Sequence, residues 1–258
     1  MRTNEKLLRG AVVNIFLCTC VFAQSNSKEW PEWFLFQNQY PQIVVGFGNE
    51  IKSAKDDAEE RYTAYQNCII EGTLEFYQVA ANQDLNRNTN YFYYYSPEAL
   101  KAVKDKLFSL DKRVVNILKG DYIEAFTLDS TFQLEKKYLI ETELNKPNWI
   151  DKDFYTDEIY YYGIGIYTSK GREADAWRSA EDKAVFNILR NTSIQLYKVE
   201  FSLQTNGELD YDKIQSYKLK YLITGIEVLE RYPDKKNNIY YALIRINKSS
   251  LKSDLNKK

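Results

Sequence analysis

Few residues of this chain have the types and spacing to do chemistry. Ile43-Val44-Val45-Gly46-Phe47-Gly48 and Tyr160-Tyr161-Tyr162-Gly163-Ile164-Gly165 each run an apolar stretch into a Gly-x-Gly, the start of a nucleotide-binding turn. A dinucleotide fingerprint needs a third glycine three positions on, and Ile51 and Thr168 stand there instead. No Gly-Lys-Ser/Thr follows either pair, which excludes a P-loop. The reading left is packing: glycine lets a strand exit sharply, or lets a helix lie close against it. Asp56-Asp57 and Glu59-Glu60 are paired carboxylates, but on a helix they fall on the polar face and are expected in water. A hydrolase working through carboxylates alone is the enzymatic alternative.

Composition narrows the chemistry further. The chain has no His, so the commonest general base and the commonest metal ligand are missing, and no Ser or Thr stands in a nucleophile-elbow context. Beyond residues 1–23 only Cys68 remains, and one Cys with no His argues against zinc, haem and thiol–imidazole sites. We therefore expect no enzyme, no cofactor and no metal. The formal charge is −1 for the full chain, and losing residues 1–23 removes three basic and one acidic residue to leave −3. That gives no electrostatic footprint for nucleic acid or an anionic membrane. An apolar fraction of 44% places the chain among folded proteins.

Aromatic residues are the remaining resource, with 22 Tyr in the chain. Tyr91, Tyr93, Tyr94 and Tyr95, with Phe92 among them, follow a polar stretch over residues 82–88. Exposed aromatics of this kind stack on sugar rings or anchor a protein partner, and we take these four tyrosines as the candidate ligand or partner surface. The competing reading is a strand carrying Tyr on both faces. Tyr160-Tyr161-Tyr162 is read as such a strand. Trp33 and Trp149, each two residues after a proline, are assigned a shared packing role.

The elements that position these residues recur. Pro31-Glu32-Trp33 is answered by Pro147-Asn148-Trp149, and Gly46 by Gly163, at offsets of about 116–117 residues; beyond a longer loop Ala54 matches Ala174 and Ala64 matches Ala184. Each copy reads as a strand, then a long helix, then a closing antiparallel pair. In the first copy Ala54, Ala58, Tyr62, Tyr65, Ile69 and Phe76 define the apolar helix face, with Cys68 a small apolar residue on the same helix. In the second the stripe is Trp177, Ala180, Ala184, Ile188 and Thr192, with Arg178, Glu181 and Lys183 on the polar side. Ser96 caps a further helix carrying Leu100, Val103, Leu107 and Leu110. The closing pairs are expected at 122–128 with 137–144, and at 221–229 with 239–246. The fold class is therefore α+β: two tandem repeats, each a mostly antiparallel sheet packed by a long helix.

The N-terminus reads as an export signal. Arg2, Lys6 and Arg9 precede an uncharged run from Ala11 to Ala23 that ends in Val21-Phe22-Ala23. The run is shorter than the roughly 20 residues a membrane-crossing helix needs, so no transmembrane span is expected. Cleavage after Ala23 is the favoured reading. The alternative is Leu17-Cys18-Thr19-Cys20 as a loose lipoprotein box with Cys20 as the lipidated residue. The chain then divides into a signal peptide (1–23), a first repeat (24–145) and a second repeat (146–258).

Pro-x-Trp, an apolar strand ending in Gly-x-Gly, and an Ala-spaced long helix together resemble the LPP-twenty family of bacterial outer-membrane lipoproteins, and the N-terminal domain of the flagellar assembly protein T family is similar. The resemblance implies a non-enzymatic role in the periplasm or at the outer membrane, with a protein or cell-wall partner. It supplies no catalytic residues. Glycan or peptidoglycan binding through exposed tyrosines is the second reading.

Overall fold

The computed structural model describes residues 28–49, 51–78, 85–169, 171–204 and 215–253. The expected leader, with Cys18 and Cys20, lies outside them. The chain opens with strand β1 (Glu29–Pro31), a single turn of helix α1 (Glu32–Leu35) and strand β2 (Val44–Gly48). Helix α2 (Ala54–Gln66) runs directly into β3 (Asn67–Gln78), followed by β4 (Leu85–Tyr94), helix α3 (Pro97–Val103), β5 (Phe108–Asn116) and β6 (Asp121–Thr127). Short strands β7 (Tyr138–Ile140) and β8 (Phe154–Thr156) lead to β9 (Tyr160–Thr168) and helix α4 (Glu173–Gln204). Strands β10 (Gln215–Thr224), β11 (Ile226–Asp234), β12 (Ile239–Asn247) and β13 (Leu251–Ser253) complete the described chain. All pairings are antiparallel, in sheets ordered β1-β7, β2-β6-β5, β11-β12-β9-β8 and β13-β10-β3-β4. The α+β class holds, with a long helix packed on antiparallel sheets.

The Gly-x-Gly pairs are where helix meets sheet. A Cβ on Gly46 would stand 1.9 Å from the Ala54 carbonyl oxygen, and one on Gly163 2.1 Å from that of Ala184. The glycines and alanines thus let backbone approach backbone, as the packing reading required. The α4 stripe of Trp177, Ala180, Ala184 and Ile188 is fully buried against β9 and β12. Trp33 and Trp149 are also buried, and each donates its indole N–H to a carboxylate on the outer strand of the nearby sheet. Trp33 Nε1 lies 3.0 Å from Asp111 of β5, and Trp149 Nε1 2.7 Å from Glu230 of β11.

Both halves follow the order strand, helix, hairpin, with the last hairpin strand beside the first strand. The likeness stops short of establishing a repeat. The helices have 13 and 32 residues, only the first half inserts β4 and α3, and Gly46 meets the start of its helix while Gly163 meets the fourth turn. Both halves also contribute to common cores. Trp30, Trp33, Phe34 and Phe47 pack with Trp177, and Ala64, Cys68 and Ile70 with Ile188, Ile223 and Ile244. The β3–β10 pairing joins the halves through one sheet.

Several expectations are corrected. The first long helix ends at Gln66, and Cys68, Ile69 and Phe76 lie on β3. That β-branched and aromatic segment pairs with β10 on one side and β4 on the other, and the pairing outweighs its helical spacing. Ser96 does cap α3, accepting from the amides of Glu98 and Ala99, but the helix ends at Val103 and Leu110 belongs to β5. Residues 122–128 do not pair with 137–144: β6 lies between β2 and β5, and β7 pairs with β1. The second pair forms as β11 with β12, while residues 221–224 belong to β10 across Gly225, whose φ is 71°.

Cys68 is buried on β3, and burial pushes its thiol up to about 12. Its thiolate fraction near neutral pH is then on the order of a thousandfold below that of a free cysteine. Alkylation of Cys68 in the native protein is expected to be slower than in urea by at least that factor. Rapid stoichiometric labelling under native conditions would show that β3 does not pack as described.

Candidate functional site

Strand alternation decides which of the expected tyrosines can reach a partner. In the β13-β10-β3-β4 sheet, Cys68, Ile70, Tyr221 and Ile223 point inward to the core formed with α2 and α4, and Tyr93 and Tyr95 pack against the same core. Tyr93 also donates to Asp182 Oδ1 of α4 at 3.2 Å. The outer face carries Phe92 and Tyr94, 61% and 51% exposed. The register aligns Tyr94 with Ile69, Leu222 and Lys252 in one row across four strands, and Phe92 with Glu71 and Lys220 in the next. Glu71 and Lys220 form an ion pair at 2.9 Å. The structure therefore separates the candidate residues: Tyr94 is available on the surface, Tyr93 and Tyr95 are half-buried, and the Tyr91 side chain lies outside the described residues. Phe92 joins the surface, a residue that the emphasis on tyrosine passed over.

Behind the inner face lies a buried ionic cluster. Glu181 of α4 accepts two bonds on Oε1 from Arg231 of β11, at 2.8 and 2.6 Å. On Oε2 it accepts from Arg61 of α2 at 2.8 Å and from the Tyr65 hydroxyl at 3.2 Å. Arg231 also donates to the Phe34 carbonyl at 2.7 Å. Asp57 accepts from the Phe47 amide at 2.9 Å and from Arg178 at 2.5 Å. Burial pushes the Tyr65 hydroxyl well above its ordinary value, against the pull of Arg61, so it stays neutral and can both donate and accept. The solvated-face expectation for Asp57, Glu59 and Glu181 is thus overturned, because each finds buried donors. Glu59 accepts from the Asp105 amide at 2.8 Å and receives no ligand-facing role.

A cleft of about 410 Å³ opens above Arg61, Glu181 and Arg231, walled by Val44 and Val45 of β2 and Ile226 and Val228 of β11. Its floor is a closed set of donors and acceptors. All four bonds on Glu181 are made within the protein, so the cluster holds elements together and offers no free base to a substrate.

One pair of acids does share a polar pocket, at the start of α4. Glu173 bonds to the Lys28 ammonium and to the Tyr240 hydroxyl. Glu141 lies across from it, and Lys28 attracts both. Burial raises both carboxyls above their ordinary values, with Lys28 opposing the shift. Neither residue was singled out by spacing, since they come from distant segments. Among the described residues no group of three or more potential ligands is placed to hold a metal ion. No protein-family model matches this chain, and no curated protein or solved structure matches it either.

Proposed function

We propose that this protein is exported and acts as a non-enzymatic structural or interaction protein of the cell envelope, periplasmic or at the outer membrane, of the LPP-twenty-like type. The observation that carries the interaction reading is the outer face of the β13-β10-β3-β4 sheet. Its inner face is buried against two helices, while Phe92, Tyr94 and Leu222 remain in water. Exposed aromatic rings on a rigid sheet are low-entropy anchors for a partner. The basic-apolar-small order of residues 1–23 supports export. Pro31-Glu32-Trp33 and Pro147-Asn148-Trp149, with their Gly-x-Gly strands, support the family type. Among the described residues no helix is long and apolar enough to cross a membrane. Attachment through an acyl chain on Cys20 is the alternative to a free periplasmic protein.

A second reading, glycan or peptidoglycan binding, is favoured by the spacing of Phe92 and Tyr94. Two rings at i and i+2 on one strand face stand about 7 Å apart, and an ion pair, Glu71–Lys220, lies in the row of Phe92. The double change Phe92→Ser with Tyr94→Ser separates these cases. Exposed substitutions of this kind shift stability by only about 0.5 kcal/mol. A photo-crosslinker at position 94 is expected to give a discrete protein adduct in intact cells, and one at the exposed Leu118 none. If the mature protein is instead retained on purified cell wall, and the double variant is lost from it at least tenfold, the glycan reading holds. Neither adduct nor retention would remove this face as the working surface.

A further inference from the structure

Leu118, Ile51 and Ile117 are the most exposed large hydrophobic residues among those described, at 96%, 88% and 86%. All three stand in turns at one end of the β2-β6-β5 sheet. Ile117 and Leu118 form the turn between β5 and β6, and Ile51 follows β2, whose last residue, Gly48, pairs with Tyr122 at the turn end of β6. The β5–β6 turn fixes its own shape. Asn116 Oδ1 accepts from the Lys119 amide at 3.3 Å, and Gly120, with a φ of 63°, donates to the Ile117 carbonyl at 3.3 Å. The Lys119 ammonium reaches the Gly171 carbonyl at 2.5 Å and ties the turn to the loop before α4. Polar side chains would serve such turns equally well, so three aliphatic chains in water at one end call for a partner.

Shape and charge at this end restrict that partner. Exposure this complete means that the side chains project from the surface rather than line a groove, and they carry no hydrogen-bonding group for a protein to read. The exposed charge beside them is positive. Lys119 and Lys235 wall one pocket, Lys236 follows in the β11–β12 turn, and all three are exposed. The acids of the same end are withdrawn from water: Asp121 and Glu173 are buried, and the Glu141 carboxylate is covered. Glu29 is paired with Arg113 at 3.0 Å, which leaves Asp234 against the three lysines. The small net negative charge of the whole chain conceals this distribution. We propose that this end docks on an anionic phospholipid bilayer, with Ile51, Ile117 and Leu118 entering the acyl boundary and the three lysines meeting lipid phosphates. Lys28, where the described chain begins, lies in the same pocket wall. Cys20 is eight residues earlier, at most about 28 Å of extended chain, so an acyl chain there would enter the same bilayer. The docking does not require that chain, and it is independent of the Phe92–Tyr94 face.

Co-sedimentation of residues 24–258 with vesicles of phosphatidylcholine containing about one-third phosphatidylglycerol tests the proposal. Half-saturation is expected at lipid on the order of millimolar, weak enough that lasting attachment needs a second anchor. Phosphatidylcholine alone is expected to bind at least tenfold more weakly. Ile51→Ser with Ile117→Ser and Leu118→Ser should lose at least tenfold in vesicle binding at an unchanged melting temperature, since all three side chains are in water. Lys235→Glu with Lys236→Glu should lose severalfold, while Phe92→Ser with Tyr94→Ser should bind as the parent does. No binding to the anionic vesicles, equal binding to both vesicle types, or undiminished binding by the triple variant would overturn the proposal. So would a discrete protein adduct from the photo-crosslinker at position 118, which would assign the turn to a protein partner.

Discussion

Glu181→Ala is expected to destabilise the protein by about 3–5 kcal/mol, the cost of removing one partner from a buried ion pair. The carboxylate is 1% exposed, and its removal takes the nearest anion from two guanidiniums at once. Arg231, itself 3% exposed, would keep only the Phe34 carbonyl, and Arg61 would keep Tyr65 and the more distant Asp57 and Asp182. Neither guanidinium can shed its proton to escape, so the Arg231 charge stays and goes unpaired, while Arg61 falls back on its longer contacts. The loss comes from what is left behind rather than from the strength of the bond. For that reason the double change Glu181→Leu with Arg231→Met should recover much of the deficit, since replacing a buried pair by apolar residues of similar volume is often neutral or better. Arg61 then limits the recovery. Urea denaturation provides the check: the single variant lowers the midpoint with little change in slope, and the double variant restores part of it. A single variant within about 1 kcal/mol of the parent would mean that water reaches these charges and that the cluster does not bind the halves.

That cluster also shows where sequence reasoning loses sight of a structure. Asp57 and Glu181 sit in helices beside other charges, and a charge in such a pattern reads as surface. Their burial depends on donors 121 and 120 residues away, Arg178 for Asp57 and Arg61 for Glu181, and no local pattern carries that pairing. The end of α2 was hidden for a related reason. Ile69 and Phe76 fit a helical face and a strand equally well, and β10, some 150 residues on, decides between them. The alternation in Tyr91 to Tyr95 could be read as a strand, but not which side faces water. That depends on the β3–β4 register, which turns Tyr93 and Tyr95 inward and leaves Phe92 and Tyr94 out. Local constraints were legible throughout: the Ser96 cap, the β11–β12 hairpin, and the alanine stripe on α4 all act within a few residues of one another. The pocket at Glu141 was not, because it is assembled from five separate segments.

The Gly-x-Gly pairs belong with the legible features, and they lead to the second large expected effect. Gly165→Ala should destabilise the protein by about 3 kcal/mol or more, at or above the upper end of what overpacking costs. The added Cβ would stand 1.7 Å from the Ala180 carbonyl oxygen and 2.5 Å from the Ala184 amide nitrogen. Both are backbone atoms of α4 well inside its first half, so relief requires lifting the helix from β9 and opening the core beneath Trp177 and Ile188. Because the obstacle is backbone, Ala180→Gly should not rescue the variant. Gly48 provides the contrast: a Cβ there would strike the Tyr122 ring at 2.1 Å, and a side chain can be cut away. Gly48→Ala alone should therefore be damaging, and Gly48→Ala with Tyr122→Leu substantially less so. Gly171, with nothing within 4 Å of an added Cβ, should accept Ala with a change of about 0.5 kcal/mol or less. Thermal and urea unfolding of these five variants would measure the set. Rescue of Gly165→Ala by Ala180→Gly would mean that side chains, not main chains, set the spacing of helix and sheet, and the close-packing account of both Gly-x-Gly pairs would fail with it.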